Sequence, residues 1–135
     1  MRIIGFNLLK TSIERKEKLE EKPKITQNID INNVVKEKIL IGDEEALKIR
    51  FNFTINYSED FAKLEFEGNV MTLPDKEEMS KFLKHWKDKK IPEESRTGLF
   101  NFIMNKCNIK ALQLEDEMGL PFHIPMPRLS PTKDK

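Results

Sequence analysis

Residues 92–129 read PEESRTGLFNFIMNKCNIKALQLEDEMGLPFHIPMPRL, and the fold turns on how that stretch divides. From Leu99, apolar residues recur at Ile103, Cys107, Ala111, Leu114 and Met118, with Phe100, Met104 and Leu112 in a row beside them. Steps of three and four put these on one wide stripe of an α-helix. Pro92 suits the first helical position, because the N–H it lacks would be unpaired there, and Glu93 and Glu94 sit where the positive end of the helix dipole favours carboxylates. Gly119 can close the helix in the left-handed conformation, and Pro121 prevents its resumption. The spacing predicts a helix of roughly 26 residues, near 40 Å at about 1.5 Å per residue. So long a stripe on so short a chain leaves apolar surface over, which oligomerisation would bury.

Working back from the helix, the chain reads as a sheet. Leu47, Ile49, Phe51, Phe53, Ile55 and Tyr57 alternate without a break against Lys48, Arg50, Asn52, Thr54 and Asn56, giving one apolar and one polar face. Ile4, Phe6 and Leu8 form an earlier strand, continued by Ile13 after a kink near Leu9 to Ser12. Ile25, Ile29, Ile31 and Val35 share one parity and predict a second, partly exposed strand. The charged run Glu14 to Lys24 reads as a solvated connection, and Gly42-Asp43-Glu44-Glu45 as a turn. Ala62, Leu64 and Phe66 start a fourth strand whose parity shifts to Met71 and Leu73, which predicts a bulge at Gly68 or Asn69.

Pro74 ends that strand. Asp75 followed by Glu78 is a capping-box variant, and Met79, Phe82, Leu83 and Trp86 give a short amphipathic helix with Trp86 as a core anchor. Lys87 to Lys90 place positive charge at its negative end. Four strands followed by two helices define an α+β fold: a four-stranded antiparallel meander, a short connector helix, and one long helix packed on the sheet. The expected organisation is a single domain over 1–129 with a frayed tail at 130–135.

The chemistry is mostly exclusion. A net charge of +1 over 135 residues argues against a strongly basic nucleic-acid binder. The lone cysteine, Cys107, precludes an intramolecular disulfide, reads as a buried small hydrophobe and fits a reducing compartment, the cytoplasm. The N-terminus lacks the features of a signal peptide, and no apolar run approaches membrane-spanning length. Two histidines and one cysteine without ligand spacing argue against a metal. No Gly-rich phosphate loop points to a nucleotide, so no cofactor is expected. Carboxylates fall in mixed-charge surface runs rather than at apolar positions, so no catalytic residue is nominated and an enzyme is not expected. Two glycosylation sequons, at Asn52 and Asn56, lie in or beside a strand and are read as chance.

The tail is the unusual feature. Leu120, Phe122, Ile124, Met126 and Leu129 are apolar, while Pro121, Pro125 and Pro127 hold the backbone extended and remove hydrogen-bond donors. It reads either as a strap over the domain's own core or as the wall of a groove for an extended apolar partner. His123 reads as a packed or solvent-facing side chain rather than a ligand.

Over nearly its whole length the layout resembles the SecB-like chaperone family. The resemblance is carried by the four strands, a connector containing Glu77-Glu78-Met79 and Phe82-Leu83, the long helix, and Gly119, Leu120-Pro121 and Pro127 at the family's spacing. Leu120 replaces the family's aromatic, and His123 and Pro125 stand where the family favours leucines. The resemblance implies an ATP-independent holdase that binds unfolded polypeptide clients in apolar grooves as a dimer of dimers. It also implies that Leu120, Pro121 and Pro127 border the client groove. Phe122, Ile124, Met126 and Leu129 join that site on their chemistry. One alternative is an assembly subunit whose tail docks to one fixed partner. Another is a nucleic-acid-binding sheet using Lys48 and Arg50 with Lys87, Lys89 and Lys90.

Overall fold

A computed structural model describes residues 2–18, 21–39, 44–127 and 129. Strands β1 (Arg2–Arg15), β2 (Ile25–Lys38), β3 (Glu45–Tyr57) and β4 (Ala62–Leu73) precede helices α1 (Lys76–Trp86) and α2 (Glu93–Glu117). Gly42 and Asp43 of the expected turn, and the expected frayed tail at 130–135, lie outside the described residues.

The α+β class is as the pattern predicts, but the sheet is not a simple meander. Its order is β1-β4-β3-β2, antiparallel throughout. β2, β3 and β4 follow one another as hairpins, whereas β1 lies beside β4, the arrangement of a Greek key. The chain therefore passes from β1 at one edge of the sheet to β2 at the other. Lys16 and Lys24, on either side of that passage, are tied to the β3–β4 turn: the Lys16 N–H donates to the Phe61 carbonyl at 2.7 Å, and the Ser58 N–H to the Lys24 carbonyl at 2.8 Å. Alternation within a strand says which face is apolar and is silent on which strand lies alongside.

β3 buries every apolar residue of its alternating set. Phe53 stacks on its cross-strand partner Phe66, with ring centroids 5.8 Å apart. Phe6 of β1 stacks on Phe51 at 5.6 Å and meets Phe102 of α2 edge-on at 5.8 Å, which fastens the long helix to this face.

The irregularities fall elsewhere than expected. β4 has no bulge: it pairs with β3 continuously from Tyr57↔Ala62 to Leu47↔Thr72, and Val70 carries the buried parity past Gly68. Met71 and Leu73 belong to the other, half-buried parity. The slip is in β1, between Leu8 and Lys10, within the predicted kink, and it leaves Leu9 exposed. A second slip between Ile3 and Gly5 turns Ile4 out of the parity of Phe6 and Leu8. In β2 a slip between Ile31 and Asn33 puts Val34 in the core and exposes Val35, the residue expected there. All three slips involve edge strands, where an extra residue disrupts one ladder rather than two.

The box that opens α1 and the glycine closure of α2 both form. The Asp75 carboxylate accepts from the Glu78 N–H at 2.8 Å while the Glu78 carboxylate accepts from the Asp75 N–H at 3.0 Å, the reciprocal box. Pro92 is the N-cap of α2 rather than its first helical residue, so the helix starts at Glu93, one residue later than expected, and without a side-chain cap bond. At the far end Gly119 takes φ +64°, with Gly119 N–H to the Asp116 carbonyl at 3.3 Å and Leu120 N–H to the Glu115 carbonyl at 2.8 Å. These two bonds form a Schellman closure.

Leu99, Ile103, Cys107 and Ala111 are the buried row of α2. Burial pushes the Cys107 thiol from an ordinary 9.0 up to about 12. At pH 8 its thiolate fraction is on the order of one in ten thousand. Native protein should therefore resist a thiol reagent at pH 8 that labels the urea-unfolded chain readily; fast stoichiometric labelling in native buffer would contradict the placement. An acid raised by folding holds its proton more tightly in the native state. The urea midpoint should consequently fall as pH rises from 9.0 toward 12.

Candidate functional site

The step of four that organises α2 does not end on Leu114 or Met118, which are half-buried; it lands on Glu115, whose side chain is 0% exposed. The expectation that no carboxylate occupies an apolar position is thus overturned. A buried carboxylate needs a partner that is equally desolvated and well aimed. His123 supplies it, with a side chain 1% exposed. Its Nδ1 lies 2.8 and 3.0 Å from the two Glu115 oxygens, and because those oxygens only accept, Nδ1 carries the proton. The His123 backbone N–H donates to the same carboxylate at 3.1 Å, and Nε2 lies 2.7 Å from the Asn108 side-chain amide. His123 is therefore packed, one of the two readings its sequence context allowed. The signal was present in the unbroken series 99, 103, 107, 111, 115.

Three further contacts pin the same segment. The Tyr57 hydroxyl donates to the Pro121 carbonyl. Burial, reinforced by the Glu115 carboxylate, pushes that phenol far above its usual range and keeps it a neutral donor. Arg15, at the end of β1, donates through Nη1 to the Met118 carbonyl at 2.8 Å and the Gly119 carbonyl at 3.3 Å. The last turn of α2 has no basic residue of its own, so a distant strand supplies the cation that its negative end favours.

These contacts divide the expected site residues. Leu120 packs in the core, 5% exposed, so its side chain presents no surface. Pro121 is exposed on a tethered backbone, and Ile124 is half-buried. Beyond the clasp, Phe122, Met126 and Leu129 are 40%, 48% and 99% exposed, with Pro125 and Pro127 exposed between them. The tail is a strap over its first half and an outward apolar row over its second.

Two clefts flank α1. The larger, about 1400 Å³, has Leu73, Pro74, Met79 and Leu83 behind a rim of both charges. The smaller, about 540 Å³, lies between β2 and the junction of the two helices, with Ile29, Ile31, Trp86, Ile91 and Phe100 in its lining. Trp86 is half-buried there and shares its face with Lys89, whose Nζ stands 4.7 Å from the ring centroid.

The basic residues of the nucleic-acid alternative are not brought together. Strand alternation turns Lys48 and Arg50 away from the core face, and Lys48 pairs with Glu37 at 3.4 Å. Lys89 and Lys90 line a cleft with Ile29 and Ile31, on the core face. No helix among the described residues is long and apolar enough to cross a membrane.

An open Greek-key sheet crossed on one face by a long helix that ends in a pinned, proline-punctuated strap is a SecB-like fold. Among solved structures it is similar to the Mycobacterium tuberculosis Rv1957 SecB-like chaperone, solved in complex with a ChAD peptide from the Rv1956 HigA1 antitoxin. The TM-score is 0.55 at 16% identity, over 96% of this chain and 87% of that one, a likeness of fold. No family model matches the chain, and no curated protein matches it.

Proposed function

We propose that this protein is an ATP-independent chaperone, a holdase that binds unfolded polypeptide through apolar surface without turnover. The observation that carries the reading is the exposed apolar row Phe122, Met126 and Leu129 on an arm whose base is clamped. Aromatic and thioether side chains on a proline-stiffened segment offer contact area at small entropic cost and tolerate varied sequences. The fold of a SecB-like chaperone solved with a peptide bound supports the same reading. The working form would be a cytoplasmic homo-oligomer, a dimer of dimers, in which exposed Ile4, Leu9 and Ile109 find cover.

The direct test is light scattering from a chemically denatured client diluted into buffer with a slight excess of this protein and no nucleotide. Suppression at near-stoichiometric amounts is expected. Unchanged aggregation across a range of temperatures would overturn the reading in favour of a subunit that docks to one fixed partner. The double variant Phe122→Asp, Met126→Asp should weaken client binding by tenfold or more, about 1.4 kcal/mol, with an unchanged far-UV circular dichroism spectrum. Loss of fold in that variant would instead assign both side chains to the core.

A further inference from the structure

The smaller cleft has a charge character that net charge conceals. Of the five lysines from Lys81 to Lys90, Lys89 and Lys90 line this cleft, Lys84 and Lys87 line the larger one, and Lys81 pairs with Glu94. Lys89, Lys90 and Arg96 line the cleft over an apolar floor that includes Trp86 and Phe100. Two of these cations rest on the aromatic faces themselves: Lys89 Nζ is 4.7 Å from the Trp86 centroid and Arg96 Cζ is 5.1 Å from that of Phe100. Nearby carboxylates are partly engaged. Glu94 pairs with Lys81, while Asp30, which accepts from Asn28 at 3.0 Å, and the exposed Glu93 line the cleft itself, so Lys89, Lys90 and Arg96 face two carboxylates there and cations stay in excess. Among the described residues, none of Lys89, Lys90 and Arg96 stands in an ion pair.

The relative strengths say which partner displaces these cations. An exposed cation–π contact is the weaker of the interactions open to these cations. A charge-assisted hydrogen bond is stronger, and guanidinium takes carboxylate in a two-point fork. A ligand with carboxylates beside an apolar anchor therefore gains more from the cations than the rings lose, and lifting the cations opens the ring faces to that anchor. A basic ligand meets repulsion and leaves the rings covered.

We infer that this cleft takes extended polypeptide segments in which an aromatic or large aliphatic residue is flanked by aspartate or glutamate. The inference rests on the holdase reading and adds a charge preference to it. Lys89 and Arg96 act as displaceable covers: they guard the aromatic floor and select the ligand that moves them.

The test is fluorescence anisotropy with three labelled peptides sharing one Phe/Leu anchor and flanked by Asp, Ser or Lys. The acidic peptide should bind about tenfold more tightly than the basic one. In a Lys89→Glu, Arg96→Glu variant the order should reverse, with Lys89→Gln, Arg96→Gln as the milder pair if the first loses its circular dichroism signature. Equal binding of all three peptides would overturn the charge preference and leave the holdase reading standing. Binding of none, together with unsuppressed aggregation, would overturn both. Displacement of the acidic peptide by single-stranded poly-dT at lower concentration than by the unlabelled peptide would mean that the cluster reads phosphate, and would overturn the inference.

Discussion

Replacing His123 by alanine is expected to lower the unfolding free energy by about 3 kcal/mol, because a fully buried carboxylate loses its side-chain donor and keeps only the backbone N–H at position 123. Native domains stand only about 5–15 kcal/mol above the unfolded state, so this one change approaches the threshold of folding. Removing both partners is a different perturbation. In the double variant Glu115→Leu, His123→Ala the carboxylate is gone, and most of the loss should be recovered, since a desolvated pair is often replaceable by apolar packing. Urea unfolding of parent, singles and double closes a double-mutant cycle, and a coupling of about 2 kcal/mol or more is expected. Strictly additive losses would show that the clasp does not hold the strap. The link to function follows from position. His123 lies three residues before Met126, so loosening the clasp should also raise binding of an apolar dye as Leu120 leaves the core.

The second large effect sets two glycines against each other. A Cβ on Gly68 would stand 2.4 Å from the Asn7 carbonyl oxygen and 2.9 Å from Phe51 Cζ. Neither neighbour yields easily. Asn7 lies in β1 where it pairs with β4, and the Phe51 ring is fully buried and stacked on Phe6. Gly68→Ala should cost about 2–3 kcal/mol by forcing β1 and the ring apart. At Gly98, on the exposed face of α2, an added Cβ meets nothing within 4 Å. Gly98→Ala should stabilise by about 0.5–1 kcal/mol through helix propensity. Denaturation of the two variants must give opposite signs; a neutral Gly68→Ala would mean that β1 is not held against β4 at this point.

Gly68 also shows how a legible pattern can be misassigned. Its place in a strand signals a close approach, which is what β1 makes, but the apolar Met71 and Leu73 invited a bulge that the buried Val70 makes unnecessary. Leu9 and Val34 carry the same lesson. Edge strands with apolar residues at adjacent positions, such as Leu8-Leu9 and Val34-Val35, satisfy the core in either parity, and only the partner strand decides which one enters.

The sequence by itself determined the elements: β3 from its unbroken alternation, the capping box at Asp75 and Glu78, the closure at Gly119, and the apolar tail. Each is set by forces acting within a few residues, namely side-chain periodicity, dihedral preference and local hydrogen bonding. Only the tertiary structure decided that β1 lies beside β4, that Arg15 caps a helix more than a hundred residues away, and which tail side chains are anchors and which face outward. A buried Glu115 and its partner His123 belong to this second group. A carboxyl group on an apolar row gains its meaning from the group that partners it, and here the closure of the helix and the strap pinned at Tyr57 bring that group within reach.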